Sequence, residues 1–550
     1  MADCPRCQHP RSPGARFCSR CGTELAEPAH GAPGGGEVDG ERRHLTVMFC
    51  DLVESTALSE RLDPEELRDL LAAYHETSAS VVERFEGHVA QYLGDGLLVY
   101  FAYPQAHEDD AERAVRAGLA ILEELAGINP RLAREHGMGV AVRIGIHTGP
   151  VVVDEAGGAQ QHEAVALGYP VNLAARLQAI ARPDSVVISE STLHLVQGLF
   201  VTEDLGTHTL KGVSEPIPVH RVLRPSGVRS RLDVAAAAGL SPLVGREQEL
   251  SFLLENWDHA REGTGRVVLV RGEPGIGKSR LVLALRDRLA DESHGWLECR
   301  GSTHREKSAF HPVIDLLRQR LELTLETSPE EQTERIERAL DRAGLDREET
   351  LPLFAGLLSL EPPERYPPLG LSAEAQRRKM LESLARWLSE LAAQQPTVLV
   401  VEDLHWTDPS SLELLELLIA RAPTAPVLLV LTFRPTFVPP WAGRPALEEM
   451  TLHPLTRRQT TELVGAITGD RRLPSAVLDE VVKKTDGVPL FIEELTKSVL
   501  ESGLLADRAD GDAPADRLPE LAIPSTLQNS LMARLDRLGP AKEVAQLAAV

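Results

Sequence analysis

Residues 266–279 read Arg-Val-Val-Leu-Val-Arg-Gly-Glu-Pro-Gly-Ile-Gly-Lys-Ser, an apolar run closed by the pattern G-x-x-x-x-G-K-S, and a helical pattern begins at Arg280. Strand, glycine-rich turn and helix in that order are the context a phosphate-cradling loop requires. The string therefore commits this part of the chain to an α/β layer. Backbone N–H groups from Gly275 to Ser279 would point at an anion from the helix N-terminus. Gly272, Gly275 and Gly277 shape the loop, Lys278 suits the β- and γ-phosphates of ATP, and the Ser279 hydroxyl suits Mg2+. A second acidic strand fits the same chemistry. Val398-Leu-Val-Val-Glu-Asp-Leu-His-Trp406 ends in Glu402 and Asp403, one carboxylate suited to Mg2+ and one to polarising water. The order Glu-Asp leaves open which does which.

One such domain does not account for 550 residues. A chain this long divides into about three or four folding units. Near the N-terminus, Cys4, Cys7, Cys18 and Cys21 form two Cys-x-x-Cys pairs separated by ten residues. This is zinc-ribbon spacing: four thiolates close a tetrahedral shell around Zn2+ and leave no position open for catalysis, so the zinc is structural or serves a protein partner. Cys50 and Cys299 read as inert core residues. Gly- and Pro-rich residues 26–41 form a flexible linker, residues 225–241 mark a second change of composition, and the acidic segment 506–518 a third. The expected division is a zinc ribbon over 1–25, one domain over 42–224, the phosphate-loop domain over 242–505 and the start of a helical segment over 519–550. The sequence stops at Val550 inside an apolar helical pattern with no stop signal, which suggests a fragment of a longer protein.

The balance of 58 basic against 82 acidic residues gives a formal charge of −24, a field that repels phosphate backbones and anionic headgroups, so nucleic acid is not an expected general partner. No apolar run approaches the roughly 18 residues of a membrane span. The first residues carry no secretory pattern. The expectation is a cytoplasmic protein, and six cysteines in a reducing compartment point to metal and not to disulfides.

Within residues 42–224, His44–Asp51 reads as a strand, and Asp63-Pro64-Glu65-Glu66 supplies an N-cap, a first-turn proline and acidic first-turn residues for a helix. In Gln91-Tyr-Leu-Gly-Asp-Gly-Leu-Leu-Val-Tyr-Phe101 the Asp95-Gly96 pair between apolar flanks signals a hairpin. An amphipathic helix fits residues 108–126. Asp51 at a strand end and Asp95 in the adjacent hairpin could hold Mg2+, or Mn2+ in its place, beside substrate phosphates.

Five strings in order carry a resemblance: Phe49-Cys-Asp-Leu-Val-Glu-Ser-Thr56, Leu93-Gly-Asp-Gly96, Arg143-Ile-Gly-Ile-His-Thr-Gly149, Gly168-Tyr-Pro-Val-Asn-Leu-Ala-Ala-Arg176 and Leu210-Lys-Gly212. Residues 42–224 resemble a class III adenylate/guanylate cyclase domain. The resemblance implies that Asp51 and Asp95 bind the metals, that Asn172 and Arg176 stabilise the transition state, that Lys211 meets the polyphosphate, and that a homodimer builds the site from both subunits. Asn172 and Arg176 are four apart, hence on one helix face. The chain departs from the family pattern at Gln91 and Val165, the positions that read the substrate base, and at Glu54, where a glycine is common.

Leu243-Val-Gly-Arg-Glu247, Thr432-Phe-Arg434 and Gly487-Val-Pro-Leu490, together with the phosphate loop, resemble the signal-transducing ATPases related to the AAA class. That resemblance implies that Arg434 senses the nucleotide phosphates, that Pro489 lies near the adenine, and that bound ATP acts as a switch ligand. The expected fold class is multidomain α/β and α+β: a zinc ribbon, a ferredoxin-like class III cyclase domain, and a P-loop NTPase domain with a helical extension. The architecture resembles bacterial relatives of soluble adenylyl cyclase, implying conversion of ATP to 3′,5′-cyclic AMP and pyrophosphate under control of the ATPase module. Guanylate cyclase activity and a catalytically degenerate cyclase-like domain in an ATP-gated scaffold remain open alternatives. A transcription regulator acting through a winged helix fits the acidic charge poorly.

Overall fold

The computed structural model describes residues 41–136, 139–156, 163–210, 216–228, 231–302, 309–323, 327–444, 447–469, 473–501, 531–532 and 535–536. Cys4, Cys7, Cys18, Cys21 and Lys211 lie outside the described residues, as do the linker read over 506–518 and all of the linker read over 26–41 except Glu41, which opens the first strand.

The first body is a mixed sheet with helices: β1 (Glu41–Leu52), α1 (Ser55–Arg61), α2 (Pro64–Arg84), β2 (His88–Tyr92), β3 (Gly96–Phe101), α3 (Asp110–His136), β4 (Val142–Ala156), β5 (Glu163–Leu167), α4 (Tyr169–Ile180), β6 (Ser185–Ser189), α5 (Glu190–Val196), β7 (Phe200–His208) and β8 (Ile217–Pro225). Strand order is β2-β3-β1-β4-β6-β8-β7, with β5 pairing on β4. β1 is central and antiparallel to both neighbours. Its two faces follow the period of two: Met48, Cys50 and Leu52 enter the core beneath α2 and α3, while Leu45 and Val47 pack opposite with Tyr100, Val151 and Ala174. Cys50 and Cys299 are both buried, as the sequence suggested, and burial pushes the Cys50 thiol up to about 12.

α2 begins where the sequence places it, with Asp63 as N-cap, Glu66 closing a capping box and Pro64 at the first position. The helix expected over 108–126 instead spans Asp110–His136 and continues through Pro130. The apolar stripe extends past Leu125 to Leu132, and that packing outweighs the local helix-breaking signal. Pro170 sits in the first turn of α4, where its missing N–H costs nothing. α6 (Arg231–Ala238) lies within residues 225–241.

The second body contains α7 (Glu247–Arg261), β9 (Arg266–Arg271), α8 (Lys278–Arg288), β10 (Gly295–Arg300), α9 (His311–Arg320), α10 (Pro329–Arg342), α11 (Arg347–Leu357), α12 (Ala373–Gln394), β11 (Thr397–Glu402), α13 (Pro409–Arg421), β12 (Val427–Phe433), β13 (Leu447–Thr451), α14 (Arg457–Thr468), α15 (Ser475–Thr485) and α16 (Pro489–Glu501). The sheet is parallel throughout, in the order β10-β11-β12-β9-β13. Burial on both faces explains the near-continuous apolar runs of β9, β11 and β12. Val268 and Val270 pack with Trp257 and Leu281 on one side, and Val267 and Leu269 with Leu316 and Trp387 on the other. The last three helices form a separate core around Leu463, Val481 and Ile492. Among the described residues no helix is long and apolar enough to cross a membrane.

Candidate functional site

The hairpin and the end of β1 bring two carboxylates together. Asp51 pairs in register with Gly96, and the Leu52 N–H donates to the Asp95 carbonyl at 3.1 Å. Asp51 and Asp95 are both half-buried. Burial raises the Asp51 carboxyl above its ordinary value, and the Asp95 charge raises it further, while a hydrogen bond from Gln178 and the Arg143 charge oppose both. Two like charges held beside each other suit a hard divalent cation that takes its remaining ligands from phosphates and water. Among the described residues no group of three or more His, Cys, Asp or Glu side chains is arranged to hold a metal by itself. Glu54 is exposed, and its φ of 56° places it in the left-handed region.

α4 lies in backbone contact with β4. A Cβ at Gly145 would come within 2.1 Å of the Gln178 nitrogen and 2.5 Å of the Ala174 carbonyl, so only glycine permits this approach. Leu173, Ala174 and Leu177 point inward, whereas Asn172 and Arg176 are exposed one turn apart. Gln178, two residues past Arg176, donates from Nε2 to Asp51 Oδ2 at 3.2 Å. Within one chain the helix therefore touches Asp51 through Gln178, while Asn172 lies about 9 Å further along the helix axis. Gln91 is exposed on β2 opposite Leu98, and Val165 lies in β5 opposite Asp154. β2 and β5 are in contact, which brings the two base-reading candidates onto neighbouring strands.

In the second body the phosphate loop joins the C-terminal end of β9 to α8. Gly275 and Gly277 take φ of 74° and 101°, and the Gly272 N–H donates to the Phe433 carbonyl at 3.2 Å. Ser279 is the second residue of α8. Lys278 Nζ donates to the carbonyls of Gly272 at 2.8 Å and Glu273 at 3.1 Å. Burial lowers its pKa to about 8, against the opposing charge of Asp403. Glu402 and Asp403 close β11 and share one cation. Glu402 is 1% exposed and ion-paired with Arg300, its register partner on β10; Asp403 lies 3.9 Å from the same guanidinium and is also one of the charges felt at Lys278. Arg434 follows β12, with its guanidinium 4.5 Å over the Trp406 ring. The Leu490 N–H donates to the Gly275 carbonyl at 3.2 Å, so the segment containing Pro489 abuts the loop.

Sequence reasoning missed Gln178, Arg143, Arg300 and Glu108. Arg143 stands opposite Asp51 in the β1–β4 register and lies inside a string that carried the resemblance, so a register argument could have found it. Arg300 and Glu108 meet partners far along the chain, and no local pattern signals them.

The first body thus carries two carboxylates where β1 ends against the β2–β3 hairpin, and the second a phosphate loop at the end of β9. Comparison with known proteins specifies them. Residues 39–222 match the adenylate and guanylate cyclase catalytic domain, residues 242–430 the AAA ATPase domain, and residues 4–25 the zinc-ribbon domain. The chain thus combines a zinc ribbon, a class III cyclase domain and an AAA-type ATPase domain. An uncharacterized protein of Rhizobium meliloti (strain 1021) is 32% identical over 530 residues, 94% of this chain and 50% of that protein. Adenylate cyclase 1 of the same organism is 30% identical over 184 residues, 33% of this chain and 28% of its own length. The chain therefore spans half or less of the length of these relatives. The adenylyl cyclase CyaB from P. aeruginosa is a structural neighbour at 30% identity, covering 35% of this chain and 97% of its own, with a TM-score of 0.32.

Proposed function

We propose that the protein is a cytoplasmic adenylate cyclase that forms 3′,5′-cyclic AMP and pyrophosphate from ATP at a homodimer interface, with the fused ATPase module setting its rate. The observation that carries the reading is the division of the site within one chain: Asp51 at the end of β1 and Asp95 in the adjacent hairpin converge, while Asn172 and Arg176 face outward from α4. A second copy related by a two-fold axis would supply each half-site with its missing part. Exposed Tyr92, Leu93 and Tyr169, beside the hairpin and at the start of α4, provide apolar surface for that contact.

In this reading Asp51 and Asp95 hold Mg2+ or Mn2+ against the triphosphate. The metal, when bound, lowers the pKa of the attacking ribose hydroxyl and neutralises phosphate charge. Arg176 presents a forked donor to the reacting phosphoryl group, Asn172 one turn away joins it in stabilising the transition state, and Lys211 meets the polyphosphate. The adenylate cyclase relative supports ATP as substrate. Gln91 and Val165 are the base-reading residues; a neutral amide can also serve guanine, which keeps GTP as the second reading.

In the ATPase module ATP occupies the P-loop, with Lys278 on its phosphates, Ser279 and one acidic residue on Mg2+, and Arg434 as sensor. Asp403, whose charge reaches Lys278, is the carboxylate we place toward the nucleotide, and the more deeply buried Glu402 is the one we place away from it. Cys4, Cys7, Cys18 and Cys21 bind a structural Zn2+ and offer a surface to a protein partner. The deciding experiment incubates purified protein with Mg2+ or Mn2+ and either ATP or GTP and quantifies cyclic nucleotide. Cyclic AMP is expected. Absence of product from both bases, with P-loop binding intact, would establish the degenerate scaffold instead.

A further inference from the structure

The turn entering α3 carries Glu108, and its Oε2 lies 3.4 Å from Arg434 Nη2, 326 residues away on the other domain. The pair is well shielded, with side chains 26% and 12% exposed. The Glu108 charge also reaches Lys278. A carboxylate of the cyclase domain thus stands among the cations of the phosphate loop, where the terminal phosphate of a bound nucleotide would lie.

We infer that Glu108 is a stand-in for the γ-phosphate: without nucleotide it holds Arg434, and ATP must displace it to engage that guanidinium, whereas ADP need not. The inference rests on the reading of the ATPase module as a nucleotide switch and names the residue through which the switch reaches the cyclase.

The loop bearing Glu108 is clasped on its other side. Arg43 donates to the carbonyls of Ala102 at 3.0 Å and Pro104 at 2.8 Å, and Asp536, 6% exposed, accepts from the Ala106 N–H at 2.9 Å and pairs with Arg43 at 3.3 Å. Met532 packs into the cluster of Tyr100, Ala102 and Ala106, while Leu531 packs on Val488 and Phe491 beside the phosphate loop. A single short segment near the C-terminus therefore contacts both the Glu108 loop and the wall of the ATPase site. The loop is continuous with β3, whose opposite end follows Asp95 across about 20 Å of strand. The clasped loop therefore gives the Glu108 site a covalent and hydrogen-bonded route to the strand whose other end follows Asp95. By linkage, any preference of ATP for one state of the cyclase domain is matched by an equal effect of that domain's state on ATP affinity.

The test is calorimetric titration of the 550-residue chain with a non-hydrolysable ATP analogue and with ADP, using Lys278→Ala as the blank that isolates the P-loop site. Glu108→Gln keeps the shape and removes the charge. It should tighten the ATP analogue about five-fold while leaving ADP nearly unchanged, the size expected for one shielded ion pair. In an Arg434→Ala background the same substitution should change neither. An unaltered ratio of ATP to ADP affinity, or a shift that survives Arg434→Ala, overturns the inference. Should the ratio shift as stated while cyclase output ignores P-loop occupancy, the displacement stands and the regulatory reading fails.

Discussion

Gln178 donates to Asp51 across 3.2 Å, so the helix that presents Asn172 and Arg176 outward steadies the carboxylate of its own chain. The contact opposes the burial and the Asp95 charge that raise the Asp51 pKa. Removing it raises that pKa further. Gln178→Ala should therefore move the acid limb of the cyclase pH profile to higher pH, with kcat/KM falling roughly three-fold at about pH 6 and less at about pH 8. A uniform loss across the profile would contradict this account.

The same shift has a sign for stability. A carboxyl whose folded pKa lies above its unfolded value is disfavoured when ionised in the fold. Metal-free protein then loses stability as pH rises from the ordinary Asp range through the raised value. Asp51→Asn should raise the melting temperature near neutral pH by about 2 °C without Mg2+, and Mg2+ should stabilise the wild type but not the variant. A lower melting temperature for Asp51→Asn would contradict the paired-carboxylate description.

How far the site could be read from sequence depended on distance along the chain. Asp63 capping α2 and the Gly272–Ser279 loop opening α8 are local patterns, and each appears where its residues put it. The end of α3 was not legible, because Pro130 signals a break that packing by Leu132 overrides. Gln178 beside Asp51 depends on the α4–β4 approach that Gly145 allows, and Arg434 beside Glu108 on how two domains meet. Neither relation has a local signature.

That approach yields a prediction of its own. A methyl group at position 145 would lie 2.1 Å from the Gln178 nitrogen, a backbone atom that cannot swing aside. Gly145→Ala should destabilise the cyclase domain by about 3 kcal/mol or more and lower its melting temperature by roughly 6 °C or more. Unchanged thermal unfolding would show that α4 does not pack as described.

Lys278 supplies a pH prediction for the ATPase module. Its folded pKa of about 8 is below the ordinary lysine value, so between the two the unfolded chain binds the extra proton and the nucleotide-free protein gains stability as pH rises. Phosphates need the charged form. ATP affinity at the P-loop should fall towards ten-fold per pH unit above about pH 8, with proton uptake on binding. Calorimetry in buffers of different ionisation enthalpy reads that uptake, and its absence well above that pH would contradict the buried, partly neutral lysine.

The last prediction concerns the division of the cyclase site between subunits. Asp51→Ala removes a metal ligand and Arg176→Ala a donor to the reacting phosphate, so each homodimer carries the lesion in both of its sites and should be nearly inactive. In a heterodimer of the two variants the arithmetic changes. One composite site carries both substitutions, while the other draws Asp51 and Arg176 from the unmodified halves and is whole. Activity should return to about half of wild type per heterodimer if the sites act independently. The exposure of Arg176 makes this expectation specific, because a side chain serving its own chain's Asp51 would have to turn inward where Gln178 already sits. Co-expression with different tags and two-step purification gives defined heterodimers. Continued inactivity beside an active wild-type control would refute the shared site.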